Sequence, residues 1–437
     1  MRGNHWGRFF GITAFGESHG PAVGVVIEDV RPGIEFPFEE IRQALERRRP
    51  GKGKFASSRQ EMDQIEVLSG LFDGKTTGMP LCLVVYNRDS CPEDYEILRD
   101  LFRPGHADLS LYRKFKIFDY RGGGRVSGRE TIARVAASPL VSRVIEPAEI
   151  DIYPISIGKI RIEEVHPEFL KSNELSWPCQ KSYDRLLDYL SDIRQRGDSV
   201  GGIVQVIIRN LPAGLGDPVF EKLDANLSKG IISIGGVKGI EFGAGFELGK
   251  MQGSQANDPL ESLEFREETT NAGGIYGGIS TGDLISFRFV VKPTPSISLP
   301  QKTVDRSGRH RTLRLSGRFD TCLVPRIIPV AEAMIKLVLA DAISYQRLVE
   351  AQQPDLDSLR EAIDKIDEDI LISLFRRDRI IEQIAELKKR DNLKVYQPER
   401  EAELYKSLII RGEELGIDPE LIRKLWQTLL EHSRRKQ

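Results

Sequence analysis

Two textures of apolar positions divide this chain. Up to about residue 345 the apolar residues come in short β-branched runs: "AVGVVIEDV" (22 to 30), "GGIVQVIIRNL" (201 to 211) and "GDLISFRFVV" (282 to 291). Helical stretches such as "TIARVAA" (131 to 137) lie between them. The connections are turns more often than crossover helices, which predicts an α+β domain with antiparallel strands. Beyond Pro354 charge interleaves with Leu and Ile, and the apolar positions fall at 356, 359, 363, 366, 370 and 374, then 381 and 384. Alternating steps of three and four, with one extra step of four, describe a helix with one apolar seam, about 35 residues and ~50 Å long at 1.5 Å per residue. Two shorter helices should follow. One starts near Pro398 and ends by Gly416; the other is capped by Asp418, with Pro419 in its first turn. The texture changes within "VEAQQPDLD", residues 349 to 357, so two domains are expected, residues 1–350 and 351–437.

The seam carries a second message. It is too long to be buried against its own short partners, so it predicts pairing with a second chain. Its continuing steps land on Arg377 and Lys388. A charge on a core-facing seam is costly unless compensated, so either these side chains snorkel or meet acids, or they form a cationic pocket for a dianion.

Composition narrows the classes without choosing among them. The balance of 40% hydrophobic to 29% charged residues fits a soluble globular protein, and a net charge of −2 makes no general case for nucleic acid or membrane. The four cysteines (Cys82, Cys91, Cys179 and Cys322) show no C-x-x-C spacing and fit a reducing compartment. "MRGNHWGRFFGI" lacks an apolar signal core, and the most apolar later stretch, residues 327 to 343, is broken by Glu332, Lys336 and Asp341. The expected location is cytoplasmic.

The chemistry of the front domain lies in its loops. "GESHG" (16 to 20) matches the G-x-S-x-G nucleophile elbow, but an apolar β-branched run follows where a helix is required. It reads instead as a turn presenting His19. "YRGGGRVSGRE" (120 to 130) sets three glycines beside Arg121, Arg125 and Arg129 ahead of a helix, a loop suited to close approach by an anion. "RRRPGKGK" (47 to 54) is a second cationic loop, "RPGHAD" (103 to 108) sets His106 beside Arg103, and "GRFDTC" (317 to 322) offers Arg318 and Asp320. There is no G-x-G-x-x-G, no P-loop and no H-E-x-x-H, so no dinucleotide fold and no metal site is indicated. The residues point to an enzyme for a small, highly anionic, phosphate-bearing substrate.

With "GESHGPAVGVVIEDVRPG", "RRRPG", "FRPGHAD", "DYRGGGRVSGRETIARVAA", "GDSVGGIV", "NAGGIYGGIS", "KPTPSIS" and "GRFDTCLVPRIIPVAEAM" in order, residues 1 to about 345 resemble the chorismate synthase family. That resemblance implies a β-α-β sandwich and a 1,4-anti elimination of phosphate from 5-enolpyruvylshikimate 3-phosphate, giving chorismate. It implies reduced FMN as cofactor, with NADPH as the candidate reductant. His19 would be the acid near the leaving phosphate, His106 would protonate the flavin, and Asp320 would act in the hydrogen removal. Arg48, Lys54, Arg103, Arg129 and Arg318 would hold phosphate and carboxylates. Flavin contacts carried over by motif are Arg125, Val126, Ser127, Gly235, Gly236, Gly277, Lys292, Pro293, Thr294, Pro295, Ser296 and Arg318. Val126 departs from the family's common serine, Gly235-Gly236 from "NA" or "PA", Lys54 from arginine and Phe319 from histidine. Valine and glycine offer no side-chain hydrogen bond.

The tail, with "LDSLREAIDKIDEDILISLFRRDRIIEQIAELKK" and "PEREAEL", resembles the all-helical chorismate mutase family over nearly all of residues 355 to 437. The resemblance implies an intertwined all-α three-helix dimer and the pericyclic rearrangement of chorismate to prephenate. Arg360 (reaching the other subunit's site), Arg377, Lys388, Arg400, Glu401, Ser433 and Gln437 would line the pocket, with Lys388 and Gln437 at the ether oxygen. Gln397 stands where the family often has aspartate. The alternative for the tail is a non-catalytic chorismate-sensing or dimerisation module. A homo-oligomer is expected, with a tetramer implied by the synthase resemblance and dimer contacts by the mutase resemblance.

Overall fold

The computed structural model describes residues 3–49, 55, 63–88, 92–117, 119–260, 270–317, 319–352, 356–391 and 394–436. Lys54, Arg318 and Gln437 lie outside them, as does the centre of the sequence linker. Contacts between backbones divide the chain into two compact units, Met1–Val349 and Glu350–Gln437.

The front unit is built on two five-stranded antiparallel sheets. The first runs in the order His5–Trp6, Ile12–Gly16, Ala22–Ile27, Leu81–Tyr86, Glu66–Ser69. The second runs Val237–Phe242, Ile285–Val291, Gly202–Arg209, Glu149–Ile157, Ile160–Arg161. Strand Gly202–Arg209 shows why the apolar runs fold so: its residues alternate strictly between buried and half-buried, one face to the core. Helix Thr131–Ala137 packs on the first sheet and is buried along most of its length, as its run of Ile, Val and Ala requires. Helix Val324–Gln352 buries Ile327, Ile328, Ala331, Met334, Ile335, Leu337, Val338 and Leu339, more than one face, as a central helix must. Gly230 of helix Leu223–Ile232 lies against Val338 and Met334 of that helix and near Trp6 of the first sheet, so the layers share one continuous apolar core. Among the described residues no helix is long and apolar enough to cross a membrane.

The tail unit is three helices, Leu356–Arg390, Pro398–Glu414 and Pro419–Lys436. The first has the 35 residues that the seam predicted. Asp418 caps the third by accepting the Glu420 N–H at 2.9 Å. Much of the seam is uncovered within one chain: Leu359, Ile363, Ile366 and Ile370 are 48 to 58% exposed, whereas Ile381 is buried.

Candidate functional site

Strand Ile12–Gly16 hands over to a turn closed by the Gly20 N–H on the Glu17 carbonyl at 3.2 Å, and strand Ala22–Ile27 returns beside it. No helix follows Ser18, so the elbow match is coincidental. The turn buries Ser18 and His19, and the His19 ring meets Tyr95 edge-on with centroids 4.9 Å apart. The glycine-rich loop crosses this turn. The Ser18 N–H donates to the Gly124 carbonyl at 3.3 Å, and a Cβ on Gly122 would stand 2.4 Å from His19 Nε2 and 3.1 Å from Ser18 Oγ. With φ at +60°, only glycine lets the loop pass here.

Three carboxylates hold four arginines around that loop. Asp63 accepts from Arg48 Nη1 at 2.9 Å and from Arg129 Nη1 at 2.6 Å, and all three side chains are at most 5% exposed. Asp108, at the start of helix Asp108–Phe115, takes both Nε and Nη2 of Arg103 at 2.8 Å. Asp320 takes Arg326 Nη1 at 2.5 Å. Asn87 joins the two halves: its Oδ1 accepts from Arg129 Nε at 2.8 Å, while its Nδ2 donates to the carbonyls of Glu17 and Gly20. Burial lowers Arg48 to about 10 against the pull of Asp63, helped by the charges of Arg326 and Arg129, so it stays protonated at neutral pH. Burial pushes Asp108 up, but the hydrogen bonds from Arg103 outweigh it and leave the carboxyl below its usual value.

Arg103 also leads to the second histidine. A Cβ on Gly123 would lie 3.5 Å from Arg103 Nη2, and the His106 N–H donates to the Arg103 carbonyl. His106 Nδ1 lies 3.1 Å from the Pro104 carbonyl, which can only accept, so Nδ1 carries the proton. Nε2 lies 3.0 Å from the Ser296 hydroxyl, which donates to it when the ring is neutral. Burial, with the charge of Arg103, lowers His106 to about 4. It is therefore a neutral ring at pH 7, not a ready acid.

The other motif residues form a wall beside it. Lys292 Nζ donates to the Gly105 carbonyl at 2.6 Å and its backbone N–H to the Gly236 carbonyl at 2.9 Å. Gly105 lies against Pro295, Gly201 against Pro293, and Ser199 Oγ donates to the Thr294 carbonyl. A Cβ on Gly235 would meet nothing within 4 Å, so that glycine faces open space. Arg125 turns elsewhere, donating to Asn4 and to the Ala14 carbonyl; Val126 is 49% exposed; Ser127 caps the short turn at Arg129. Gly277 turns a hairpin tied to Leu215 and Leu223.

In the tail, Arg377 Nη1 donates to Ser433 Oγ at 2.7 Å, joining the first helix to the third. Lys388 lies three turns further along the same face, roughly 17 Å on, and donates to the Val395 carbonyl at 2.8 Å. Glu401 of the second helix is gripped by Arg434 of the third, Nε to Oε1 at 2.9 Å with a second bond from Nη2 to Oε2. Arg400 pairs loosely with Glu403 at 3.4 Å on the surface, and Arg360 stands exposed near the far end of the first helix.

Sequence reasoning missed Asp63, Asn87, Asp108, Arg326 and Arg434. Asp108 and Arg326 stood inside quoted motifs, but nothing local marked them as partners of Arg103 and Asp320.

The chorismate synthase family model matches residues 10–344, and the chorismate mutase type II model matches residues 359–437. Chorismate synthase of Syntrophus aciditrophicus (strain SB) is 48% identical over 355 residues, covering 80% of this chain and 99% of that one. Chorismate synthase of Archaeoglobus fulgidus is 45% identical over 355 residues, covering 79% and 98%. A solved structure described as the crystal structure of chorismate synthase superposes with a TM-score of 0.61 at 28% identity, covering 84% of this chain and 99% of its own. The chain belongs to the chorismate synthase family, and its tail is a chorismate mutase type II domain, which makes it a fusion of two enzymes.

Proposed function

We propose that the front unit eliminates phosphate from 5-enolpyruvylshikimate 3-phosphate with reduced FMN, and that the tail rearranges the resulting chorismate to prephenate. The observation that carries the reading is the cradle of Arg48, Arg103, Arg129 and Arg326, lying against the His19 turn on one side and the His106 turn on the other. Four guanidiniums converging in this way suit a polyanion.

The donor set fits a phosphate-bearing cofactor and substrate. The hydroxyls of Ser18 and Thr294 are buried without a hydrogen-bond partner among the described residues, and a ligand would supply one. Gly235 leaves open backbone beside Gly236 and Lys292. Bound reduced FMN would lend electron density as the C–O bond to phosphate breaks and recover it with the hydrogen. His19 would hold the leaving phosphate and supply its proton. His106 would gain a proton at Nε2 only when an anionic group lies against it, displacing the Ser296 hydrogen bond. Asp320, held in place by Arg326, would accept in the hydrogen removal. In the tail, Arg377, Lys388 and Arg400 would hold the dianion in its reactive conformer. A homo-oligomer completes this reading, because the exposed seam needs a second chain.

The test is anaerobic incubation of the full chain with reduced FMN and the enolpyruvyl substrate, following phosphate, chorismate and prephenate together. Phosphate should appear with chorismate as a transient and prephenate accumulating. Chorismate that accumulates without prephenate would reduce the tail to a sensing or dimerising module. His106→Ala should slow phosphate release by about 10²-fold or more, the range for a lost general acid, and leave prephenate formation from added chorismate unchanged. Equal loss of both activities would make His106 structural.

A further inference from the structure

The geometry points to Arg434 as a positioning residue of the mutase pocket: it neutralises Glu401 so that a dianion can bind beside that carboxylate. The inference rests on the mutase reading of the tail. Consecutive residues of the third helix tie down both neighbouring helices, Ser433 accepting from Arg377 of the first and Arg434 gripping Glu401 of the second. The grip is a two-point fork, Nε to Oε1 at 2.9 Å and Nη2 to Oε2, and it leaves Glu401 only 17% exposed. The Arg434 guanidinium lies 4.5 Å from the centre of the Tyr396 ring, so its plane is held from a second side.

The electrostatics require such a partner. A pocket built on Arg377, Lys388 and Arg400 is attractive to a dianion, and a bare carboxylate at 401 would subtract from that attraction. A carboxylate has about four acceptor positions, so one bound by the Arg434 fork can still accept a substrate hydroxyl. Glu401 thus keeps its hydrogen-bonding use without its repulsion. Because Arg434 is 41% exposed, the pair contributes little to fold stability, and its effect belongs in substrate binding.

The experiment uses the full chain with added chorismate, comparing wild type, Arg434→Met, Arg434→Lys, Glu401→Gln and the Glu401→Gln/Arg434→Met double variant. Arg434→Met should raise KM about 10-fold or more, as expected for one uncompensated charge near a dianion, with kcat changed far less and the melting temperature held. Arg434→Lys should fall between, since lysine keeps the charge and loses the fork. In the Glu401→Gln background the Arg434→Met change should have almost no further effect on KM or on chorismate affinity by calorimetry. A KM unmoved by Arg434→Met, an equal penalty in both backgrounds, or a fall in kcat that tracks lost stability would each overturn the inference. Wild-type protein that forms no prephenate would instead overturn the mutase reading beneath it.

Discussion

Asp63 is a single carboxylate with two guanidiniums on it, and all three groups are out of water. Desolvating charges is expensive, and only their mutual attraction offsets the cost. Asp63→Ala should therefore destabilise the front unit by about 3–5 kcal/mol, the range for breaking a buried pair, read by denaturant unfolding. Loss of less than about 1 kcal/mol would mean that water reaches both arginines. His106 makes a different kind of statement. Its folded value of about 4 lies below the ordinary 6.5, so the unfolded chain binds a proton that the folded one refuses in that interval. Stability should consequently fall as pH drops from about 6.5 towards 4, and the loss should be complete below 4. His106→Gln should remove that component, and ring titration by NMR should place the midpoint near 4 in flavin-free protein.

Among elements, the decisive contact is a loop over a turn. Gly122 carries the glycine-rich loop past His19 with no room for a methyl group. Gly122→Ala should cut phosphate release by about 10²-fold, as a misplacement near 1 Å does, and leave the mutase rate unchanged. Gly74→Ala is the control: it has a similar positive φ, +75°, with nothing within 4 Å of the added Cβ. It should cost backbone strain alone and leave the chemistry intact. If both variants lose activity alike, strain rather than the His19 contact is responsible.

For the whole molecule, the tail leaves a long apolar seam uncovered within one chain. Arg360 lies roughly 42 Å from Lys388 along a straight helix at 1.5 Å per residue, so within one chain they cannot share a small ligand. The exposed seam between them offers Ile363, Ile366 and Ile370 to a second copy. Ile366→Glu should lower prephenate formation at least 10-fold, since the introduced charge cannot be buried in such a seam, and restore less of it as protein concentration falls. Sedimentation should report the loss of tail-mediated association, while phosphate release is retained. An unchanged rate and sedimentation would assign the seam no partner.

Sequence alone determined what is periodic or local. The alternation in residues 201 to 211, the three-and-four steps of the tail, the Asp418 cap and the change of texture near residue 350 each depend on neighbours a few positions away, and the strands and helices follow them. Through motif it also singled out His19, His106 and the glycine-rich loop as candidates for the chemistry. Tertiary structure decided the rest. Asp63 meets Arg48 across 15 positions and Arg129 across 66, and Arg434 meets Glu401 across 33; no spacing rule announces such pairs. The neutrality of His106 likewise comes from burial and from Arg103, neither of which its own sequence position reveals. Charge compensation is settled by distance in space and exclusion of water, and both exist only once the chain has folded.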